Sequence, residues 1–398
     1  MARSSSWRFR LATEIHFGRG RLRNLGELAA PLGRRALLVG YAEPGSLAET
    51  YRRAAEQLQK AGLAVTEFFR VAPEPDAEAA AEGAALARSA ATDVIVAVGG
   101  GSVIDAAKGI AVLACLGGQA WDYTGENPHA KPAVGKLPLV AVPTTAGTGA
   151  EVSTVAVLSH RRRWPRGEVA WKGSISSPAV APEIAVVDPN LTVGSPPELT
   201  AACGADALGH AIEACLSRRG NPISSLFGGR AAALIVENLA RAVEAPDDPQ
   251  PREPLALAAL LAGAAFSEAG VGVAHALAQA LGGVLHVPHG VAVAVSTPIA
   301  LRYNREHCVP QYAELGRWCG VAVSSPEESA DRFVQRVVEL LRSVGLPQRL
   351  PAPDGAAEGL IDLLVENALE TTPVPITLNP RKVDPPALRA MFQEALRS

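Results

Sequence analysis

Between residues 34 and 145, short apolar runs alternate with segments of helical spacing. RRALLVG (34–40) is an apolar run ending at glycine and predicts a buried strand. SLAETYRRAAEQLQKA (46–61) spaces its apolar positions three and four apart, which predicts a helix with Ser46 as N-cap. AVTEFFRV (64–71) predicts a second strand and AEAAAEGAALARSA (77–90) a second helix. DVIVAVGGG (93–101) reads as a strand running into glycines, SVIDAAKGIAVLACL (102–116) as a helix, and LPLVAVPTT (137–145) as a further strand. A β-α-β-α-β-α-β order predicts an α/β domain, a parallel sheet with helices on its faces. EVSTVAVLS (151–159) and EIAVVDPNL (183–191) are shorter β-type pieces. The charged segment between them, HRRRWPRGEVAWKG (160–173), predicts a solvated hairpin or loop.

From about Pro196 the pattern changes to helical periodicity dominated by Ala and Leu. PELTAACGADALGHAIEACLS (197–217), FGGRAAALIVENLARAVE (227–244), PLALAALLAGAAFSEA (254–269) and GVAHALAQALGGVL (272–285) all predict helices. DPNLTVGSPPE (188–198) supplies Pro and Gly at the change, so we place a boundary there. The expected domains are an α/β unit over 1–192 and an all-α unit over 193–398. A length of 398 residues agrees with two domains.

Composition narrows the function. The net charge of −3 gives no basic field for nucleic acid or an anionic membrane. No apolar run of 18 residues lacks a charge or a breaker, so no membrane span is expected. The N-terminal residues have no apolar core of a signal peptide. The five cysteines (115, 203, 215, 308 and 319) are odd in number and lack CxxC spacing, as expected of free thiols in the cytoplasm.

The candidate chemistry lies mostly in the helical half. Asp206 and His210 are four apart on a predicted helix and share one face. On an apolar face such a pair is either a buried hydrogen-bonded couple or half of a metal site. His275, His286 and His289 fall within fifteen positions of another apolar segment. One carboxylate with three imidazoles suits Fe²⁺ or Zn²⁺ and not the oxygen-seeking Mg²⁺ or Ca²⁺. In the first half, VAVGGGSVIDAAKGI and VPTTAGTGAEVS each follow a strand with a Gly-rich polar loop, where open α/β sheets bind ligands. Neither is the GxGxxG fingerprint, and a tight strand–helix turn would leave the same trace.

Taken together, GGGSVID (99–105), PTTAGTGAE (143–151), DPNLT (188–192), DALGHAIEA (206–214) and HALAQALGGVLHVPHG (275–290) resemble the iron-containing (group III) alcohol dehydrogenase family. The opening IHFGRGRLRNLGEL (15–28) is similar to that family's start. The resemblance implies a nucleotide-binding α/β domain and an all-helical domain enclosing a cleft. It implies that Asp206, His210, His275 and His289 hold the metal and carry the catalysis through it, with His286 outside the ligand set. It implies that Gly100, Gly101 and Ser102 contact the cofactor pyrophosphate and that Asp105 sits near the nicotinamide. Thr144, Thr145 and Thr148 would line the cofactor site, and Lys172 would reach cofactor or substrate. The expected activity is hydride transfer between NAD(P)(H) and a small primary alcohol or aldehyde, in a cytoplasmic homodimer.

Two departures from the family pattern stand out. The histidine that many members carry four residues after the third ligand is here Gln279, which cannot titrate. The Asp that NAD-preferring members carry after the first strand is absent, with Gly40 and Tyr41 at that point. Removing that carboxylate removes repulsion against a 2′-phosphate, so NADP(H) is expected to be preferred over NAD(H). The competing readings are a related zinc polyol dehydrogenase of the glycerol dehydrogenase type, a dehydroquinate synthase, a maleylacetate reductase, a metal-dependent hydrolase without nucleotide, and a non-catalytic metal-binding protein.

Overall fold

The computed structural model describes residues 6–164, 167–352 and 359–397, with side chains left undescribed over 161–170. Its first half is built on β1 (Glu14–Phe17), β2 (Arg35–Tyr41), β3 (Ala64–Val71), β4 (Val94–Gly99) and β5 (Leu139–Pro143). β6 (Val155–Trp164), β7 (Gly167–Ser176) and β8 (Ile184–Val187) follow. Six of these form one parallel sheet in the order β1-β8-β5-β4-β2-β3. Helices α1 (Leu25–Ala29) and α2 (Ala48–Lys60) belong to one apolar layer with Leu38, Val96 and Val140. Helices α3 (Ala77–Ser89) and α4 (Gly101–Leu116) share the other layer with Leu37, Ile95 and Ala141. Central strands buried on both faces explain why their sequences run apolar without alternation.

The expected strands and helices of this half are present, with corrections. Ser46 is not the N-cap of α2. It lies in a 3₁₀ turn, Gly45–Leu47, and the cap position is Leu47, with no side-chain cap bond. Asp76 does cap α3, accepting from Ala79 N at 2.7 Å. The hairpin expected within 160–173 is borne out: β6 and β7 pair antiparallel over ten residues each, with residues 165–166 outside the described ones. Strand β1 pairs with β8, far along the chain, in register Glu14↔Ile184.

The second half is helical: α5 (Pro197–Leu216), α6 (Pro222–Glu244), α7 (Arg252–Ala269), α8 (Val273–Leu285) and α9 (His289–Asn304). Then come α10 (Val309–Trp318), α11 (Pro326–Ser343), α12 (Leu360–Thr371), α13 (Pro373–Leu378) and α14 (Pro385–Ala395). Two two-residue strands, β9 (Leu350–Pro351) and β10 (Leu396–Arg397), tie the end of the chain back. Helix α5 is the axis of this half, buried along most of its length against α6, α7 and α9. No single helix among the described residues is long and apolar enough to cross a membrane. The two halves touch where Gly149, at φ 61, meets Gly263 of α7 so closely that an added Cβ would fall 2.3 Å from its Cα.

Candidate metal centre and nucleotide cleft

Three elements deliver the metal candidates. Asp206 and His210 lie one turn apart on α5, His275 lies in the first turn of α8, and His289 begins α9. The connection between α8 and α9 depends on His286. It caps α8 in the left-handed region at φ 55, exposed to solvent, and Pro288 then takes the N-cap position of α9. His286 therefore shapes the turn that presents His289.

Asp206, His210 and His275 each offer a ligand atom, all within 4.8 Å of one another, and all three residues are buried. His289 joins the group through its Nε2, 3.4 Å from Asp206 Oδ1, and His275 Nε2 stands 3.4 Å from the same oxygen. Asp206 Oδ1, His210 Nδ1 and His275 Nε2 are buried without a hydrogen-bond partner. Orphaned polar atoms of this kind are costly, and a shared cation satisfies all of them at once. The donor set fits a divalent transition metal. His210 is further held between rings, stacked 4.2 Å from Phe266 and 4.3 Å from His275.

Electrostatics reinforce this reading. Burial pushes His210 down to about 3, keeping its imidazole neutral. Burial opposes the charge on Asp206, but His210, His289 and His275 around it hold its carboxyl well below the usual range. Burial also disfavours a charged His275, yet the carboxylates of Asp206 and Glu213 outweigh that and lift it to about 9. A proton on His275 thus stands where a cation would go, and metal binding must displace it.

Glu213 was not singled out from the sequence. It lies seven residues after Asp206 and three after His210, on the same face of α5. Its carboxylate accepts from His275 Nδ1 at 2.6 Å and from Ala274 N at 2.8 Å. A carboxylate behind a ligating histidine fixes the ring and leaves the other nitrogen free for metal. The i, i+4, i+7 spacing of Asp206, His210 and Glu213 in an apolar helix was the available signal.

On the sheet side, β2 and β4 are neighbours whose chains continue in opposite directions, and their C-terminal ends frame a crevice. Gly100 caps α4 without a side-chain bond. A Cβ on Gly101 would fall 2.4 Å from Thr148 Cγ2, so only glycine lets the threonine loop close over the start of α4. The Tyr41 hydroxyl, at the end of β2, lies over the glycine turn, 2.8 Å from where a Cβ on Gly100 would fall. Gly40 instead lies within the sheet layer, where a Cβ would meet Tyr51 Cζ at 2.7 Å. Thr144 is buried and donates its N–H to Gly99 O at 3.0 Å.

The loop after β5 links this crevice to the metal candidates. Thr148 packs on Gly101, and Gly147 packs on Cys203 of α5, where an added Cβ would fall 3.0 Å from Cys203 Cβ. Burial pushes the Cys203 thiol up to about 12, which agrees with an inert structural cysteine. Asp105 on α4 accepts from Val157 N at 3.1 Å through Oδ2, while its buried Oδ1 has no hydrogen-bond partner. Lys172 Nζ stands 2.9 Å from Glu74 Oε1, and the Glu74 N–H donates to Ser102 Oγ at 3.3 Å, in the first turn of α4.

Comparison with known proteins finds relatives over most of the chain. The model of the iron-containing alcohol dehydrogenase family matches residues 12–189, and that of the family's C-terminal part matches residues 200–396. The chain is 34% identical to the NAD-dependent methanol dehydrogenase of Bacillus methanolicus, over 89% of this chain and 91% of that one. It is 31% identical to the NADPH-dependent butanol dehydrogenase of Clostridium saccharobutylicum, over 97% of each. A solved 1,3-propanediol oxidoreductase superposes with a TM-score of 0.88 at 34% identity, covering 98% of this chain and all of that one.

Proposed function

Because the chain belongs to the iron-containing alcohol dehydrogenase family, and so is an NAD(P)-dependent alcohol oxidoreductase, we propose that it interconverts small uncharged primary alcohols and aldehydes with NADP(H) preferred. The observation that carries the reading is the set of three buried, unpartnered ligand atoms on Asp206, His210 and His275, joined through one loop to the glycine turn of α4. Nothing in the comparisons supports the glycerol dehydrogenase alternative.

In this reading Asp206, His210, His275 and His289 hold Fe²⁺ or Zn²⁺. When bound, that ion supplies Lewis acidity toward the substrate oxygen. Glu213 keeps His275 in the tautomer with Nε2 free. Gly100, Gly101 and Ser102 receive the pyrophosphate at the start of α4, and Thr145 and Thr148 close over it. The nicotinamide would lie toward Asp105, whose Oδ1 is 3.6 Å from the buried Lys108 ammonium. A bound nicotinamide would supply the hydride acceptor or donor at its C4. Gln279, one turn beyond His275 and half-buried, cannot titrate, so the proton would leave through water or the cofactor ribose.

The preference for NADP(H) is supported by the neutral Tyr41 hydroxyl at the end of β2, where a carboxylate would repel a 2′-phosphate. We assign residues 1–192 and 193–398 as the two domains whose closure brings cofactor and metal together. The absence of any disulfide among the described cysteines agrees with a cytoplasmic enzyme, and family resemblance supports a homodimer. The test is anaerobic reloading with Fe²⁺ or Zn²⁺, followed by NADPH and NADH oxidation with short-chain aldehydes beside a chelated control. Metal-dependent oxidation, faster with NADPH, is expected. Equal rates with chelator present would overturn the reading.

A further inference from the structure

The three helices that carry the metal candidates meet at a short segment near the end of the chain. LNPR (378–381) begins at the last residue of α13 and reaches all three. Leu378 O accepts from Arg218 N, just past the end of α5, at 2.9 Å. Asn379 Oδ1 accepts from the N–H of Val273, the first residue of α8, at 3.3 Å. Asn379 also pairs with Asn304, the last residue of α9, and the Arg381 guanidinium donates to Tyr303 O beside it at 2.9 Å.

Asn379 is buried, and its carboxamide is fully used. Oδ1 accepts from Asn304 Nδ2 at 3.0 Å as well as from Val273. Nδ2 donates to Asn304 Oδ1 at 2.8 Å and to Arg381 O at 2.7 Å. Two lone pairs and two N–H groups are thereby all engaged. Turned over, the amide would set N–H against the Val273 N–H and oxygen against Arg381 O, so its orientation is fixed.

The amide oxygen replaces a missing cap. Gly272, at the N-cap position of α8, has no side chain to receive the free N–H groups of the first turn. Two other elements supply the acceptors: Glu213 Oε1 takes Ala274 N, and Asn379 Oδ1 takes Val273 N. A Cβ on Gly272 would fall 2.9 Å from the first oxygen and 3.1 Å from the second, so glycine lets both approach. His275 is the third residue of this turn. Glu213 aims its ring, and the two oxygens together hold the turn that bears it.

We propose that Asn379 is a positioning residue for the metal centre. It acts through the helices rather than on the ion. By fixing the start of α8 against the ends of α5 and α9, it sets the spacing of His275 from Asp206, His210 and His289. This inference rests on the metal-site reading above.

The experiment measures Zn²⁺ affinity of the folded protein by competition with a chelator, and the visible spectrum of the Co²⁺-loaded protein as a readout of ligand geometry. Asn379→Leu keeps the volume and removes the cap oxygen. About 10-fold weaker Zn²⁺ binding and an altered Co²⁺ spectrum are expected. Asn379→Asp returns an oxygen to the Val273 N–H and is expected to restore both. Leu388→Ala, a cavity variant in the apolar cluster shared with α8 and α9, is expected to lower Tm and leave affinity and spectrum unchanged. Wild-type affinity and spectrum in Asn379→Leu would overturn the proposal. So would equal losses in Asn379→Leu and Asn379→Asp, or the same loss in Leu388→Ala. Hydrogen exchange at the Val273 amide of the metal-free wild type needs no variant to fold: slow exchange is expected, and the rate of a free amide would overturn the cap. Wild type that binds neither ion would overturn the metal-site reading, and this proposal with it.

Discussion

Glu213 offers the sharpest test of how the helical half builds its centre. Its two oxygens serve two buried donors, His275 Nδ1 at 2.6 Å and Ala274 N at 2.8 Å. Glu213→Ala leaves both donors without partners in a site closed to solvent. Each orphaned donor costs about 1–3 kcal/mol, so the metal-free fold is expected to lose about 2–6 kcal/mol. Glu213→Gln keeps the volume but presents one acceptor and one donor, so one of the two donors faces an N–H. Losing the carboxylate behind a ligating histidine weakens metal binding about 10–100-fold, or about 1.4–2.7 kcal/mol. The assays are competition for Zn²⁺ against a chelator of known affinity, an anaerobic counterpart with Fe²⁺, and thermal unfolding of the metal-free protein. The pH dependence adds a sign. His275 is raised to about 9, so its contribution to metal-free stability is fully present below about 6.5 and is lost as pH rises through about 9. Glu213→Gln removes one of the two carboxylates responsible, so that decline must shrink. Wild-type metal affinity together with an unchanged pH profile in both variants would refute the positioning role.

Other outcomes follow from neighbouring contacts. Gly101→Ala places a Cβ 2.4 Å from Thr148 Cγ2, and a short branched side chain has no room to yield; we expect about 1–3 kcal/mol lost in chemical denaturation and weaker dinucleotide binding by fluorescence titration. Tyr41→Asp returns a carboxylate to the end of β2, beside Gly100; the KM for NADPH should rise about 10-fold or more relative to that for NADH. Burial pushes the Glu151 carboxyl up to about 7 against the pull of Lys108. Its neutral form therefore stabilises the fold most below about 4.5, and the benefit falls away as pH rises through about 7. Glu151→Gln should flatten the decline of Tm between pH 5 and 8.

The central strands were legible because burial on both faces leaves an unbroken apolar run such as VIVAVG, which needs no knowledge of its partners. Strand β1 was not, because EIHF is four residues long and its pairing with β8 is a tertiary fact. The β6–β7 hairpin was legible but its length was not, since only the pairing reveals that HRRRW belongs to the strand. Ser46 misled because a side chain suited to capping precedes α2, while the chain enters that helix through a 3₁₀ turn. In the site, Asp206 and His210 announced themselves by spacing, and His275 and His289 by standing in apolar surroundings. Glu213 sat in the same quoted motif unnoticed, because its partner comes from another helix. Glu74 was invisible for the same reason: its partners, Ser102 and Lys172, are brought to it only by the fold.

The most direct measurement follows a deuterium label. The protein, reloaded anaerobically with Fe²⁺ or Zn²⁺ to a counted stoichiometry, is given C4-deuterated NADPH and butanal, beside Asp206→Ala treated identically. One tightly held metal per wild-type chain, deuterium recovered at C1 of the butanol, and loss of both in Asp206→Ala are the expected results. Asp206→Ala that retains the metal and the label transfer, or wild type that transfers no deuterium with either metal, would contradict a hydride-transferring centre built on these residues.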